Sequence, residues 1–317
     1  MKIIVVGAGA LGTIFAAHLS RAGHEVSVLV RGRRAEQVAR TGLVVRGLVD
    51  LDIDCPIVTD PAAVPDAELL IVTVKSYDNE AAITALPPRR FDSVFSVANG
   101  VLKNAQLAAC FGADRVLGCM ANTSGELLDG GEVLFTRNVC VHLGELDGGL
   151  SARSRSIAET IEGCGINARP EESIITVEWS KFVGWTALVA LSVTTRFTTG
   201  RFLAEPHCAS LAVAMIKEMA AIAAARGIEI VDQSPLPVAS IAGDAPAAAR
   251  QRVTAIGTEW LESAAGHRMS SLQDLERGKR LEVEETLGFA IREGLRLGLA
   301  TPTLAVCYEL LTGINNG

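Results

Sequence analysis

KIIVVGAGALG (Lys2–Gly12) sets four branched apolar residues ahead of three glycines, Gly7, Gly9 and Gly12, spaced G-x-G-x-x-G. The spacing alone is weak evidence, because small residues are common. Its context is stronger: a strand-like run over Lys2–Val6 precedes it, a helix-like run over Leu11–Ala22 follows, and His24–Val30 then reads as a second strand ending at Arg31. In such a unit the first glycine permits a tight turn, the second lets backbone approach a pyrophosphate, and the third lets helix and strand pack closely. The helix N-terminus turns unpaired N–H groups toward the phosphates. Gly7, Ala8, Gly9, Ala10, Leu11 and Gly12 are therefore the expected dinucleotide contacts, against the alternative of a merely structural strand–helix turn.

The end of the second strand chooses the cofactor. A site for NAD usually carries Asp or Glu about 20 residues past the motif, bonded to the ribose hydroxyls. Here the chain reads Val30-Arg31-Gly32-Arg33-Arg34, with no carboxylate. A guanidinium at Arg31 suits the 2′-phosphate of NADP through charge-assisted bonds. The alternative is a solvated basic turn.

Working outward, Arg34–Arg40 reads as a helix ending at Gly42, and Leu69–Val74 and Ser93–Val97 are compact apolar runs followed by turn residues. Short buried runs alternating with helices predict a mostly parallel sheet covered on both faces. From about Glu172 the texture becomes helical, with long patterns over Val177–Thr194, His207–Arg226, Ala247–Ala264 and Val283–Leu297. Gly227 and Gly298 read as helix stops, and Val231–Pro246, with three prolines and Gly243, as a loop. The expected fold class is α/β: a Rossmann-type domain over residues 1–170 with a mostly parallel sheet, then an all-helical domain over 171–317.

At 317 residues and 49% apolar the chain can bury two cores. Its formal net charge of −7 argues against a nucleic-acid partner or an anionic membrane surface, though not against a local basic pocket. Seven scattered cysteines, none spaced CxxC, and five histidines without ligand spacing suggest neither disulfides nor a metal site and fit a reducing cytoplasm. Unbroken apolar runs such as Met219–Ala225 fall short of the roughly 20 residues that span a bilayer. A homodimer through the helical half is left open, since nothing in its pattern separates an oligomer seam from an ordinary core.

Over nearly its whole length the chain resembles the ketopantoate reductase (2-dehydropantoate 2-reductase) family. The matching pieces are GAGALG, LVRGRRAEQVARTGLVV, VTVKSY with Lys75, ANG with Asn99, EWSKFV with Lys181, and SSLQDLERGKRLEVE with Ser270 and Glu282. The resemblance implies a cytoplasmic, NADP-dependent oxidoreductase of pantothenate biosynthesis that reduces the keto group of a small 2-oxo acid. It further implies Lys181 as the general acid, Glu282 beside the lysine and cofactor, Ser270 and Asn99 as substrate contacts, and Lys75 and Asn99 near the cofactor. A proton donor makes chemical sense, because hydride addition leaves negative charge on the former carbonyl oxygen.

Each residue also has a plainer reading. Lys181 and Lys75 could be ordinary surface lysines, Glu282 a helix-start glutamate among Glu284 and Glu285, and Ser270 a helix cap. Asn99-Gly100 is a common turn dipeptide, yet ligands gather where parallel strands end.

The chain departs from the family at three positions. Asparagines commonly stand four and eight residues after the lysine; here they are Trp185 and Val189, which share its helix face and are expected to line the substrate site. A third asparagine is replaced by Thr199. Two lost hydrogen bonds at roughly 0.5–1.5 kcal/mol each would weaken a polar substrate about 5- to 150-fold. The departure points to a bulkier or less hydroxylated 2-oxo acid, unless neighbouring groups supply the missing contacts. The rival readings are a D-2-hydroxyacid dehydrogenase-like enzyme with a more apolar substrate, and a non-catalytic dinucleotide-binding regulator.

Overall fold

Ile3 and Val5 turn to one side of strand β1 (Lys2–Val6), Ile4 and Val6 to the other, and all four are buried. A strand apolar on both faces belongs in the middle of a covered sheet, and that is where β1 lies in the computed structural model. Residues 1–87, 90–233 and 235–316 are described. They form two units, Met1–Ile175 and Thr176–Gly317.

In the first unit, β1 leads through α1 (Ala10–Arg21) to β2 (Glu25–Leu29), α2 (Gly32–Thr41), β3 (Leu43–Gly47), β4 (Leu51–Ile53) and β5 (Ile57–Val58). There follow β6 (Ala67–Val72), α3 (Ser76–Thr84), β7 (Phe91–Ser96), α4 (Leu102–Phe111), the long strands β8 (Leu117–Leu127) and β9 (Val133–Glu145), α5 (Ala152–Gly163) and β10 (Ala168–Pro170). One sheet is wholly parallel, ordered β5-β2-β1-β6-β7. Its strand order reverses between β1 and β6, the switch point where doubly wound sheets take their ligands.

A second sheet, ordered β10-β9-β3-β4 with β8 paired antiparallel to β9, was not legible in the sequence. It covers the outer side of α1, which contacts β3, β4, β8 and β9 as well as β1 and β2. Residues Gly12–Leu19 of α1 are accordingly buried. The apolar residues of the first sheet divide between two cores: Ile3, Val5, Leu69 and Ile71 join α1 and the second sheet, while Ile4, Val6, Leu70 and Val72 pack with Ile83 of α3 and Leu107 of α4.

The second unit is helical, with no strand among its described residues: α6 (Ile174–Thr195, entering from the first unit), α7 (Thr199–Ala204), α8 (Pro206–Ala225), α9 (Val238–Gly243), α10 (Pro246–Ser263), α11 (Ser270–Glu276), α12 (Phe289–Arg296) and α13 (Pro302–Asn316). Proline opens α8, α10 and α13, where a missing N–H costs nothing. The α/β-then-helical architecture expected from the sequence is the one observed.

Two details differ from expectation. Val231–Pro246 is not all loop, since it contains α9; within it Ser234 lies outside the described residues. Val283–Leu297 is not one α-helix but a π-helical turn, Glu284–Gly288, running into α12. Among the described residues α6 and α8 are also long and apolar enough to cross a membrane, which counting unbroken runs misses. The most apolar window of α6 is 83% buried, as in a core helix, and that of α8 44%.

Candidate functional site

The glycine loop joins β1 to α1 at the switch point of the parallel sheet. Gly7 has φ +97°, and a Cβ there would press Val74 and Thr73 at 3.0 and 3.1 Å. A Cβ on Gly12 would lie 2.1 Å from the Gly7 carbonyl oxygen and 2.5 Å from Thr73 Oγ1, so close packing alone demands glycine. Gly9 is different: a Cβ there would meet no protein atom within 4 Å. Nothing in the protein's own packing keeps that position bare.

Gly9 is also the N-cap of α1 and lends no side chain to the first-turn amides. Uncapped N–H groups and the helix dipole together suit a phosphate. Thr73, just past β6, donates its hydroxyl to the carbonyls of Val6 and Gly7 at 2.9 and 3.0 Å and so ties the two loops of the switch point together. Beside the loop lies a cavity of about 320 Å³, lined among others by Gly7, Ala8, Gly9, Val30, Arg31 and Arg34. These features fit a dinucleotide phosphate group.

The three arginines of the basic turn part company. Arg31 is the exposed N-cap of α2, with extended backbone, and Arg33 is exposed too. Arg34 turns inward. Its Nε donates to the Ala8 carbonyl at 2.7 Å, Nη1 to the Gly131 carbonyl at 2.7 Å, and Nη2 to Thr13 Oγ1 at 3.0 Å. Burial pulls its guanidinium below the ordinary arginine value. A basic turn read as one group is thus two arginines facing out and one holding the glycine loop.

The other first-unit candidates stand where parallel strands end. Lys75 is the half-buried N-cap of α3, after β6. Asn99 follows β7 and is half-buried, with Gly100 at φ +83° completing the turn. Sequence reasoning missed the residue that fixes this turn. Lys103 on α4 is only 5% exposed, and its Nζ donates to the carbonyls of Ala98 at 2.9 Å and Cys119 at 2.6 Å. The Ala98 N–H is held in turn by Ser96 Oγ at 3.2 Å.

In the second unit, Lys181 is half-buried on α6, while Trp185 and Val189 on the same helical face are 8% and 4% exposed. Hydroxyls brace this helix: within it Ser192 donates to the Val189 carbonyl at 3.0 Å, and Ser180 Oγ accepts from the N–H of Val231, in the segment after α8, at 2.8 Å. Ser270 is not a cap. Met269 takes the N-cap of α11, Ser270 is exposed in its first turn, and Ser271 points inward to share a 3.0 Å hydrogen bond with Ser192. The Thr199 hydroxyl is committed to His267 Nδ1 at 2.9 Å, and the residue is fully buried.

Glu282 is half-buried, in the segment just before the π-helical turn; its carbonyl accepts from the Thr286 hydroxyl, and the N–H of neighbouring Leu281 is held by Asn315 at 2.7 Å. The acidic residues of the turn itself are Glu284 and Glu285, and Glu282 stands just ahead of them. Glu284 is engaged by Tyr308 at 2.5 Å and Arg292 at 2.9 Å, and the Tyr308 hydrogen bond leads in holding its carboxyl below the ordinary range. Burial pushes the Glu285 carboxyl up.

Two family models match the chain: Ketopantoate reductase PanE/ApbA over residues 3–148, and Ketopantoate reductase PanE/ApbA C terminal over residues 173–315. The 2-dehydropantoate 2-reductase of Archaeoglobus fulgidus is 29% identical, with all of this chain and 98% of the relative covered. A ketopantoate reductase of this family from Ralstonia eutropha superposes with a TM-score of 0.84 at 25% identity, over all of this chain and 99% of the other. D-mandelate dehydrogenase, solved with NADH and anilino(oxo)acetate, reaches 0.85 over the same shares of the two chains at 20% identity, a likeness of fold.

Proposed function

Given that this chain belongs to the ketopantoate reductase family, we propose that it is an NADP-dependent oxidoreductase that reduces the keto group of a small 2-oxo acid, with 2-dehydropantoate the first substrate to test. The observation that carries this reading is Gly9, a position kept bare for no reason of packing at the uncapped start of α1, with the exposed Arg31 beside the same cavity. Arg31, where an NAD site would hold a carboxylate, supports NADP through its 2′-phosphate.

When bound, NADPH supplies the hydride that adds to the keto carbon. Lys181 holds the proton that the carbonyl oxygen takes up as the charge gathers on it, leaving an alcohol and a neutral amine that solvent reprotonates. Glu282 orients the lysine ammonium or the cofactor, Ser270 and Asn99 hold the substrate's polar groups, and Lys75 stands near the cofactor. Lys181→Ala is expected to lower kcat by about 100- to 10,000-fold, the usual contribution of a general acid.

A second substrate reading is favoured by the second unit itself. Trp185 and Val189 offer an apolar wall in place of two amides, and the Thr199 hydroxyl is already spent on His267. On this reading the enzyme is closer to a D-2-hydroxyacid dehydrogenase and takes a bulkier acid. NADPH oxidation measured with 2-dehydropantoate beside branched and aromatic 2-oxo acids separates the two. Turnover of 2-dehydropantoate far above the rest supports the first; preference for the aromatic acids, reversed by Trp185→Asn, supports the second. No oxidation across the panel, despite tight nucleotide binding, would leave a dinucleotide-binding regulator.

A further inference from the structure

Arg34 makes four hydrogen bonds, and every partner is a neutral oxygen: the carbonyls of Ala8 and Gly131, Thr13 Oγ1, and Gln37 Oε1 at 3.5 Å. None of these partners neutralises its charge. Three of them belong to separate parts of the first unit, namely the glycine loop, α1 and the turn between β8 and β9. Gln37 doubles the tie to that turn, donating to the Asp129 carbonyl at 3.1 Å. The Ala8 carbonyl receives a second bond from Thr13 Oγ1 at 3.2 Å, and Ala8 is buried.

A carbonyl dipole in this loop has two ways to point. Aimed into the cradle, it would set a partial negative charge against a phosphate; aimed into the protein, it leaves the following amides to face the anion. Arg34 and Thr13 hold it inward. Resting on the dinucleotide reading above, we infer that Arg34 is a cofactor-positioning residue, fixing the Ala8 peptide and adding positive potential under the pyrophosphate, and that it does not read the 2′-phosphate. That discrimination belongs to Arg31 at the mouth of α2. The adjacent arginines thereby divide the work: one serves any dinucleotide, the other selects between two.

Calorimetric dissociation constants for NADPH and NADH, taken without any substrate, test this in wild type, Arg34→Met, Arg34→Lys and Arg31→Met. Arg34→Met is expected to weaken both nucleotides by the same factor, about 10- to 100-fold, since a charge-assisted network is lost. Arg31→Met is expected to weaken NADPH about 10-fold or more while sparing NADH. Arg34→Lys keeps the charge but cannot span three partners, so it should show the same parallel loss at smaller size, and it serves if Arg34→Met does not fold. A changed NADPH-to-NADH ratio in either Arg34 variant would overturn the inference alone, as would unchanged affinity for both nucleotides in a folded variant. Wild-type protein that binds neither nucleotide would instead overturn the cofactor reading and take this inference with it.

Discussion

Gly9 and Gly12 look interchangeable in a motif and differ completely in what surrounds them. Gly12→Ala drives a methyl to 2.1 Å from the Gly7 carbonyl oxygen, so the loop must move; a stability loss of about 1–3 kcal/mol is expected in urea unfolding. Gly9→Ala meets open space and an ordinary extended backbone, so the melting temperature should hardly change while NADPH affinity falls about 10-fold or more. Undiminished affinity in Gly9→Ala would remove the central support for the cradle. Lys103→Met removes a buried donor from the carbonyls of Ala98 and Cys119 and should lower the urea midpoint, at a cost of roughly 1–3 kcal/mol. The sequence shows that Lys103 and Arg34 are charged, but not which carbonyls lie within reach. Those carbonyls are set by distant segments, Cys119 and Gly131, and so both roles were illegible, whereas the glycines, whose meaning is local, were plain.

Elements followed the same rule. The parallel sheet could be read because strands buried on both faces appear as unbroken apolar runs. The β8–β9 hairpin could not: its register shifts between Asn122 and Thr123 and again between Ser124 and Gly125, which breaks the two-residue alternation that marks a strand. The π-helical turn escaped for a similar reason, since one residue of slippage hardly alters a helical pattern. Helix crossings are equally hidden. A Cβ on Gly257 of α10 would sit 2.1 Å from the backbone nitrogen of Ala204, the last residue of α7, so Gly257→Ala should destabilise the protein by about 1–3 kcal/mol or more, measurable by denaturant unfolding. Between α8 and α12, Glu293 receives Arg296 at 2.6 and 2.9 Å and also Arg226. The hydrogen bond from Arg296 leads in lowering its carboxyl from 4.5 to about 2. In the unfolded chain this group binds a proton first as pH falls, so its stabilisation is full above 4.5 and is lost on acidification toward 2. Urea midpoints of wild type and Glu293→Gln should therefore differ at pH 7 and converge as the pH approaches 2; a gap of constant size would show that Glu293 acts by shape alone.

Across the whole molecule the net charge is −7, so an anionic cofactor is drawn by local charge against an unfavourable background. On the proposed role of Arg31 in reading the 2′-phosphate, NADPH affinity should fall more steeply with salt than NADH affinity; equal slopes would count against NADP selectivity. The helix that begins at the cradle has its own bearing on how the first unit behaves. Since α1 is buried over Gly12–Leu19 between two sheets, it is held along most of its length, and the proposed seat for an anion is built before any arrives. Amide hydrogens in the middle of α1 should then rank among the slowest to exchange even in nucleotide-free protein. Whatever a ligand adds at that seat is felt by both sheets at once, as resistance of the entire unit to melting rather than as the quieting of one loop.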